Sequence, residues 1–200
     1  MHKGRVEAFS DGVIAIVITI MVLEMKVPHG ADLAALATLA PVFLSYVLSF
    51  VYVGIYWNNH HHLFQVVDRV DGLVLWANLH LLFWLSLVPF VTGWLGEAGP
   101  VRAPVVLYGV VLIGAAIAYT LLVKALGRRH GAGSVLVRAL GRGWKETLSL
   151  GLYATALIAA VAFEPATPGL VVALTLYVVV AAIWLVPDRR VERALAEVGK

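Results

Sequence analysis

From Arg5 to Pro28 the chain reads RVEAFSDGVIAIVITIMVLEMKVP. Arg5, Glu7, Ser10 and Asp11 crowd the start, and from Gly12 to Leu23 the residues are almost wholly apolar. A helix needs about 20 mostly apolar residues to cross the hydrocarbon core of a bilayer. The stretch therefore predicts a membrane-spanning helix with a polar root.

The rest of the chain agrees with that reading. Hydrophobic residues make up 61% of the 200 and charged residues only 14%, whereas a soluble domain carries roughly a quarter charged residues. Mean hydropathy is +0.89. Spans are predicted over 9–27, 33–57, 73–95, 105–126, 147–163 and 168–186, which leaves no room for a soluble domain. The expectation is one all-α integral membrane domain, 1–200, with six transmembrane helices. The opening stretch is too long and too poor in small residues for a cleaved signal peptide.

The connections divide into two kinds. MKVPHGAD, GEAGPVRAP and EPATP are short, rich in Pro and Gly, and hold only Lys26 and Arg102. The amino terminus, the loop after the second span, the loop after the fourth and the tail hold the other 13 of 15 Lys and Arg residues. Alternation of this kind follows the positive-inside rule and predicts cytoplasmic termini in a cell membrane. The formal charge of +3 is thus read as topology and not as a nucleic-acid partner. In the 127–143 loop, Val135, Leu136 and Leu140 predict a short amphipathic helix.

Ionisable and polar groups inside spans are costly and mark candidate sites. Ser10 and Asp11 fit either a cap at the start of the first helix or a polar network with helices 2 and 3. Arg5 stands six positions before Asp11, so the two need a bridging partner. Glu24 and Lys26, at the other end of that helix, fit snorkelling interfacial charges. Glu24 also fits a carboxylate ring that concentrates cations at a pore mouth. His60, His61 and His62 lack metal-site spacing and favour packing or hydrogen bonding. Asn78 and His80, within the third span, are read with His60 as inter-helix hydrogen-bond partners. Trp57, Trp76, Trp94 and Trp144 suit an interfacial belt, while Trp84 and Trp184 need other partners. Gly114 with Ala118 and Ala156 with Ala160 are small-residue pairs that let helices approach closely.

Other chemistries find no footing. There is no cysteine, so thiol catalysis and Cys-ligated metals are excluded. No catalytic constellation, P-loop or dinucleotide fingerprint occurs, and neither an enzyme nor a cofactor or resident metal is expected. YVGIYW, residues 52–57, shares letters with a carbonyl potassium filter but lies inside one span, where such a loop cannot form.

Arg5-x-x-x-Phe9-Ser10-Asp11, followed by GVIAIVITIMVL, resembles the R-x-x-x-F-S-D signature of the endosomal and lysosomal potassium channel family. The resemblance implies a pore lined by the first helix of each subunit, without a carbonyl filter. A chain with one six-helix unit would then form a homotetramer in the lipid bilayer. The family pattern puts the narrowest ring at Ile16, with Thr19 and Leu23 beyond it. These positions share one helix face, a face that periodicity alone does not select. The implied function is a cation channel that prefers potassium weakly over sodium. A proton-permeable channel or proton-coupled secondary transporter is the alternative, although the spans place no Asp, Glu, Lys or Arg at mid-membrane.

Overall fold

The computed structural model describes residues 3–65, 67, 70–130, 144–163 and 166–185. Among them the chain forms α1 (Lys3–Leu23), α2 (Leu33–Ala37), α3 (Ala40–Gln65), α4 (Gly72–Ser86), α5 (Val88–Ala98), α6 (Arg102–His130), α7 (Trp144–Ala162) and α8 (Ala166–Leu185), and no strand. Six spans are long and apolar enough to cross a membrane, with α4 and α5 together forming one of them over Gly72–Ala98. The protein is an all-α, multi-pass membrane protein. Residues 131–143 of the predicted amphipathic segment lie outside the described residues.

Two helices run past their apolar stretches at the polar end. The first begins at Lys3 and ends at Leu23, where 9–27 was expected, and α3 continues from Trp57 through the three histidines to Gln65. Backbone hydrogen bonding within a helix does not require apolar side chains, so polar residues extend it into the interface. The 33–57 expectation also breaks near residues 38–39, which separate the short α2 from α3. The third span breaks at Leu87: Pro89 has no N–H to give to the Leu85 carbonyl four residues back, and Leu87 closes a tighter bond to Trp84 instead. Aspartates cap two starts: Asp32 Oδ1 accepts from the Ala35 N–H at 2.8 Å, and Asp71 Oδ1 from Val74 at 3.0 Å. Gly99 ends α5 at φ +72°, a backbone region that glycine enters without a Cβ clash.

Lipid tails are as apolar as leucine, so these helices associate through close packing and buried hydrogen bonds more than through removal of apolar surface from water. Close approach is visible at Gly114, where a Cβ would strike the Trp84 indole, and at Gly169, where it would strike the Ala159 carbonyl. Ala118, Ala156 and Ala160 are fully buried. The helix pair α7–α8 packs against α6, α6 packs against α4, and α1 lies against α3, α4 and α5.

Buried hydroxyls stitch the interior. Thr92 Oγ1 donates to Ser49 Oγ at 2.6 Å, and Ser49 shares a 2.8 Å bond with the Tyr108 hydroxyl. Tyr52 donates to the Tyr177 carbonyl, and the Tyr177 hydroxyl to the Val105 carbonyl. Away from water each such group needs a protein partner, and these bonds lock α3, α5, α6 and α8 in one register. The outer surface is the reverse: Phe43, Leu44, Trp76, Phe90 and Val171 are all exposed. In water an apolar surface of that extent would aggregate; in a bilayer it is the solvated side.

Candidate functional site

The first helix has two faces. Val6, Ser10, Ile14, Val17 and Met21 form a buried stripe against its neighbours. On the opposite side Ile16 is 57% exposed and Leu23 78% exposed, and Thr19 is exposed between them. At about 100° per residue, Thr19 and Leu23 fall within about 60° of Ile16. Ile18, about 200° away, is half-buried and packed on the core. The three positions singled out from the sequence thus share the face that one subunit leaves uncovered.

The Thr19 hydroxyl donates to the Ile16 carbonyl at 3.0 Å. That uses its only proton, and the lone pairs of the oxygen remain on the open face as acceptors. Beside this face lies a groove of about 680 Å³ between α1 and the α4–α5 span, lined by Ile16, Ile20, Phe90, Trp94, Glu24 and Glu97 among others.

At the amino-terminal end of α1 the polar groups divide into two sets. The inner set is Ser10, Asn78 and His60, all buried. The Asn78 amide donates to Ser10 Oγ at 2.9 Å, and its carbonyl oxygen lies 2.8 Å from His60 Nε2. With the amide nitrogen donating to Ser10, the oxygen must accept, so His60 carries its proton on Nε2. One asparagine therefore ties α1, α3 and α4 together, and the His60 ring stacks on Phe64 with centroids 4.5 Å apart.

The outer set is Asp11, Trp57 and His61. Trp57 Nε1 donates to Asp11 Oδ1 at 3.0 Å, and the Trp57 and His61 rings stack with centroids 6.0 Å apart. Asp11 is thus held by Trp57, and Arg5 and Phe9 are exposed. Because α1 starts at Lys3, Ser10 and Asp11 stand two turns inside the helix, so neither caps it. Lys3 takes an end-capping role on the neighbouring helix: its Nζ donates to the Phe64 and Gln65 carbonyls at 2.9 and 3.1 Å. A cation there meets the negative end of the α3 dipole.

His80 stands apart from the inner set. It is exposed, and its Nε2 accepts from Trp84 Nε1 within the same helix at 3.0 Å. Two residues along a helix turn about 200°, so Asn78 and His80 cannot both face inward. Trp184, the other tryptophan needing a partner, donates to Ser149 Oγ at 2.8 Å.

At the carboxyl-terminal end of α1, Glu24 lies beside Gly93 of α5. Lys26 forms a 2.6 Å ion pair with Glu97. That hydrogen bond and the Glu97 charge raise the Lys26 pKa above its ordinary value, so Lys26 stays charged across the physiological range. The sequence reading missed Lys3, Trp57 and Glu97 as partners. Trp57 had a local signal, a polar NNHHH run directly after it, whereas nothing in sequence links Glu97 to Lys26.

Six apolar spans and no strand among the described residues define a multi-pass α-helical membrane protein. The profile of the endosomal/lysosomal potassium channel TMEM175 family matches residues 5–89, the part that carries α1 and both polar sets. A potassium channel of Chryseobacterium sp. (strain P1-3) is 53% identical over 197 residues, covering 98% of this chain and 100% of the relative. The chain belongs to the TMEM175 family. The endosomal/lysosomal proton channel TMEM175 of Gallus gallus is 39% identical over 101 residues, covering 44% of this chain and 20% of the relative. Among solved structures, the crystal structure of a lysosomal potassium-selective channel TMEM175 homolog from Chamaesiphon minutus matches with a TM-score of 0.76 and 30% identity, covering 93% of this chain and 97% of that one. The protein is a TMEM175-type cation channel.

Proposed function

We propose that four copies of this chain assemble around a central axis lined by α1 and conduct potassium, with a weak preference over sodium. Ile16 forms the narrowest ring, Thr19 supplies acceptor oxygens beyond it, and Leu23 lines the wider end. The chain sits in the cell membrane with both termini cytoplasmic, as the uneven distribution of Lys and Arg implies. The observation that carries this reading is the uncovered face of α1, with Ile16 at 57% exposure opposite a continuous buried stripe. A ring of isoleucines conducts only when wide enough to wet, so small shifts of α1 switch it on and off. Potassium gives up part of its hydration shell more readily than sodium, which favours it in a narrow apolar ring.

Proton conduction is the second reading, favoured by the named activity of the Gallus gallus relative and by the titratable His60 at the root of α1. Purified protein in liposomes separates the two: potassium, sodium and proton fluxes are recorded under matched gradients. Potassium flux above sodium flux supports the proposal, proton flux alone supports the second reading, and no flux of any cation overturns both.

Glu24 belongs to the same reading as an entrance charge. Its neighbour Glu97 is neutralised by Lys26, which leaves Glu24 to set the local potential. Glu24→Gln is expected to lower potassium conductance about twofold at low salt. It should have little effect at 1 M, where the Debye length is about 3 Å. Single-channel recording across that salt range checks it, and a change independent of ionic strength would show a structural role.

A further inference from the structure

Along α6 one narrow line of side chains reaches the surface. Val110, Ile117 and Leu121 are 37%, 42% and 45% exposed, and the exposed Lys124 and Arg128 continue the line. Steps of seven, four, three and four residues keep all five on one side of a helix. Every other residue between Val110 and Arg128 is buried or half-buried, because α6 packs against α4, α5, α7 and α8.

The line has a defined depth. From Arg102, where the span begins, to Lys124 is about 33 Å at 1.5 Å per residue, just beyond a hydrocarbon core of about 30 Å. Lys124 and Arg128 therefore stand at the level of lipid head groups. The apolar part from Val110 to Leu121 covers about 16 Å, the hydrocarbon depth of one leaflet. The α4–α5 span crosses the membrane and α6 crosses back, so α6 ends on the side where α4 and α7 begin. The exposed Trp76 and Trp144, near those two starts, mark the same interface.

The two cations are unclaimed. Lys3 holds the α3 carbonyls, Lys26 holds Glu97 and Lys145 stands over the Trp184 ring. Lys124 and Arg128 make no hydrogen bond or ion pair among the described residues. The helix dipole gives a reason for Arg128, which lies in the last turn before His130. It gives none for Lys124, a further turn back, because the effect fades within one turn. Like charges four residues apart on a helix repel each other, and an anion between them removes that cost.

We propose that this line of α6 seats an anionic phospholipid, with its phosphate between Lys124 and Arg128 and one acyl chain along Leu121, Ile117 and Val110. Arg128 offers a planar fork of donors to the phosphate oxygens, and Lys124 adds a compact positive charge. A zwitterionic lipid brings its own ammonium, which the two cations repel. A free phosphate lacks the chain that the apolar line receives. The seat requires only that α6 span a bilayer, so it stands apart from which ion the channel passes.

The test uses the full chain in mild detergent, exposed to an equimolar mixture of phosphatidylglycerol and phosphatidylcholine with matched chains. Native mass spectrometry reads the first lipid retained. The wild type is expected to favour phosphatidylglycerol about thirtyfold, since each cation near a membrane surface contributes about fivefold. Lys124→Gln and Arg128→Gln should each lower that preference about fivefold, and the double variant should lose it. Lys124→Arg combined with Arg128→Lys keeps both charges and should hold the preference within about twofold. Lys26→Gln, a charge lost at the opposite end of the membrane, should do the same. Soluble glycerophosphoglycerol in about tenfold excess should not displace the lipid. Equal retention of the two lipids by the wild type, a preference unchanged in the double variant, or displacement by glycerophosphoglycerol would overturn the proposal.

Discussion

Ile16→Ala is expected to give larger leak currents and a potassium-to-sodium permeability ratio falling to about 1, since a wetted constriction no longer discriminates by dehydration. The isoleucine side chain is β-branched and stiff at χ1 in a helix, so the proposed ring of four would keep one aperture. Alanine removes three carbons from each copy and leaves room for water beside the ion. Ile16→Asn should act in the same direction by hydrating the ring. Ile18→Ala is the control: that side chain is half-buried against the core, and its loss should be nearly silent for selectivity. Reversal potentials under bi-ionic potassium and sodium decide the matter. Selectivity abolished by Ile18→Ala and intact in Ile16→Ala would mean that the wrong face of α1 has been assigned to the pore.

Asn78→Ala is expected to destabilise the protein by about 2–6 kcal/mol, because it orphans two buried partners at about 1–3 kcal/mol each. Inter-helix hydrogen bonds in membrane proteins average only about 0.6 kcal/mol, which argues for a smaller loss. The larger figure is preferred here because a single amide serves both Ser10 and His60, and all three residues are buried. Asn78→Asp keeps an acceptor for His60 and lets the Ser10 hydroxyl donate in turn, so it should recover part of the loss. Thermal denaturation in a mild detergent, with the assembled fraction followed by size exclusion, reports both effects. An Asn78→Ala protein as stable as its parent would remove Asn78 from its structural role. The selectivity of whatever assembles should be unchanged, which separates this defect from that of Ile16.

Much of the fold was legible because span number depends on apolar length and on Pro- and Gly-rich breaks, both local properties. Where a helix stops was less so. Trp57 to Gln65 reads as a polar exit from the membrane, yet it continues α3, since a helix end is set by hydrogen bonds and caps. The break at Leu87 had a visible cause in Pro89, but apolar residues on both sides conceal it in a hydropathy reading. At the site, residue types were informative and pairings were not. Ser10, His60 and Asn78 were recognisable as costly groups in need of partners. That Asn78 turns inward while His80 turns to Trp84 depends on the rotation of α4 against its neighbours. The open face of α1 needed either the family resemblance or the fold, because the helix is apolar nearly all round and carries no amphipathic signal.

The spacing of the buried stripe on α1 bears on how the helix can move. Val6 and Val17 are eleven residues apart, as are Ser10 and Met21. Eleven residues make three turns of about 3.67 residues, close to the 3.6 of an unstrained helix and unlike the 3.5 of a left-handed coil. The exposed side keeps the same interval, from Arg5 to Ile16, Phe9 to Ile20 and Gly12 to Leu23. The free face therefore runs as a nearly straight file along the rod and does not wind out of line. A straight rod on a straight seam can tilt or slide as a unit, and every residue of the file then shifts in concert. Rotation about its own axis would instead pull Val6, Ser10, Ile14, Val17 and Met21 out of their contacts together. In the proposed pore, tilting would change the width between facing files and leave the identity of the side chains that line it unchanged.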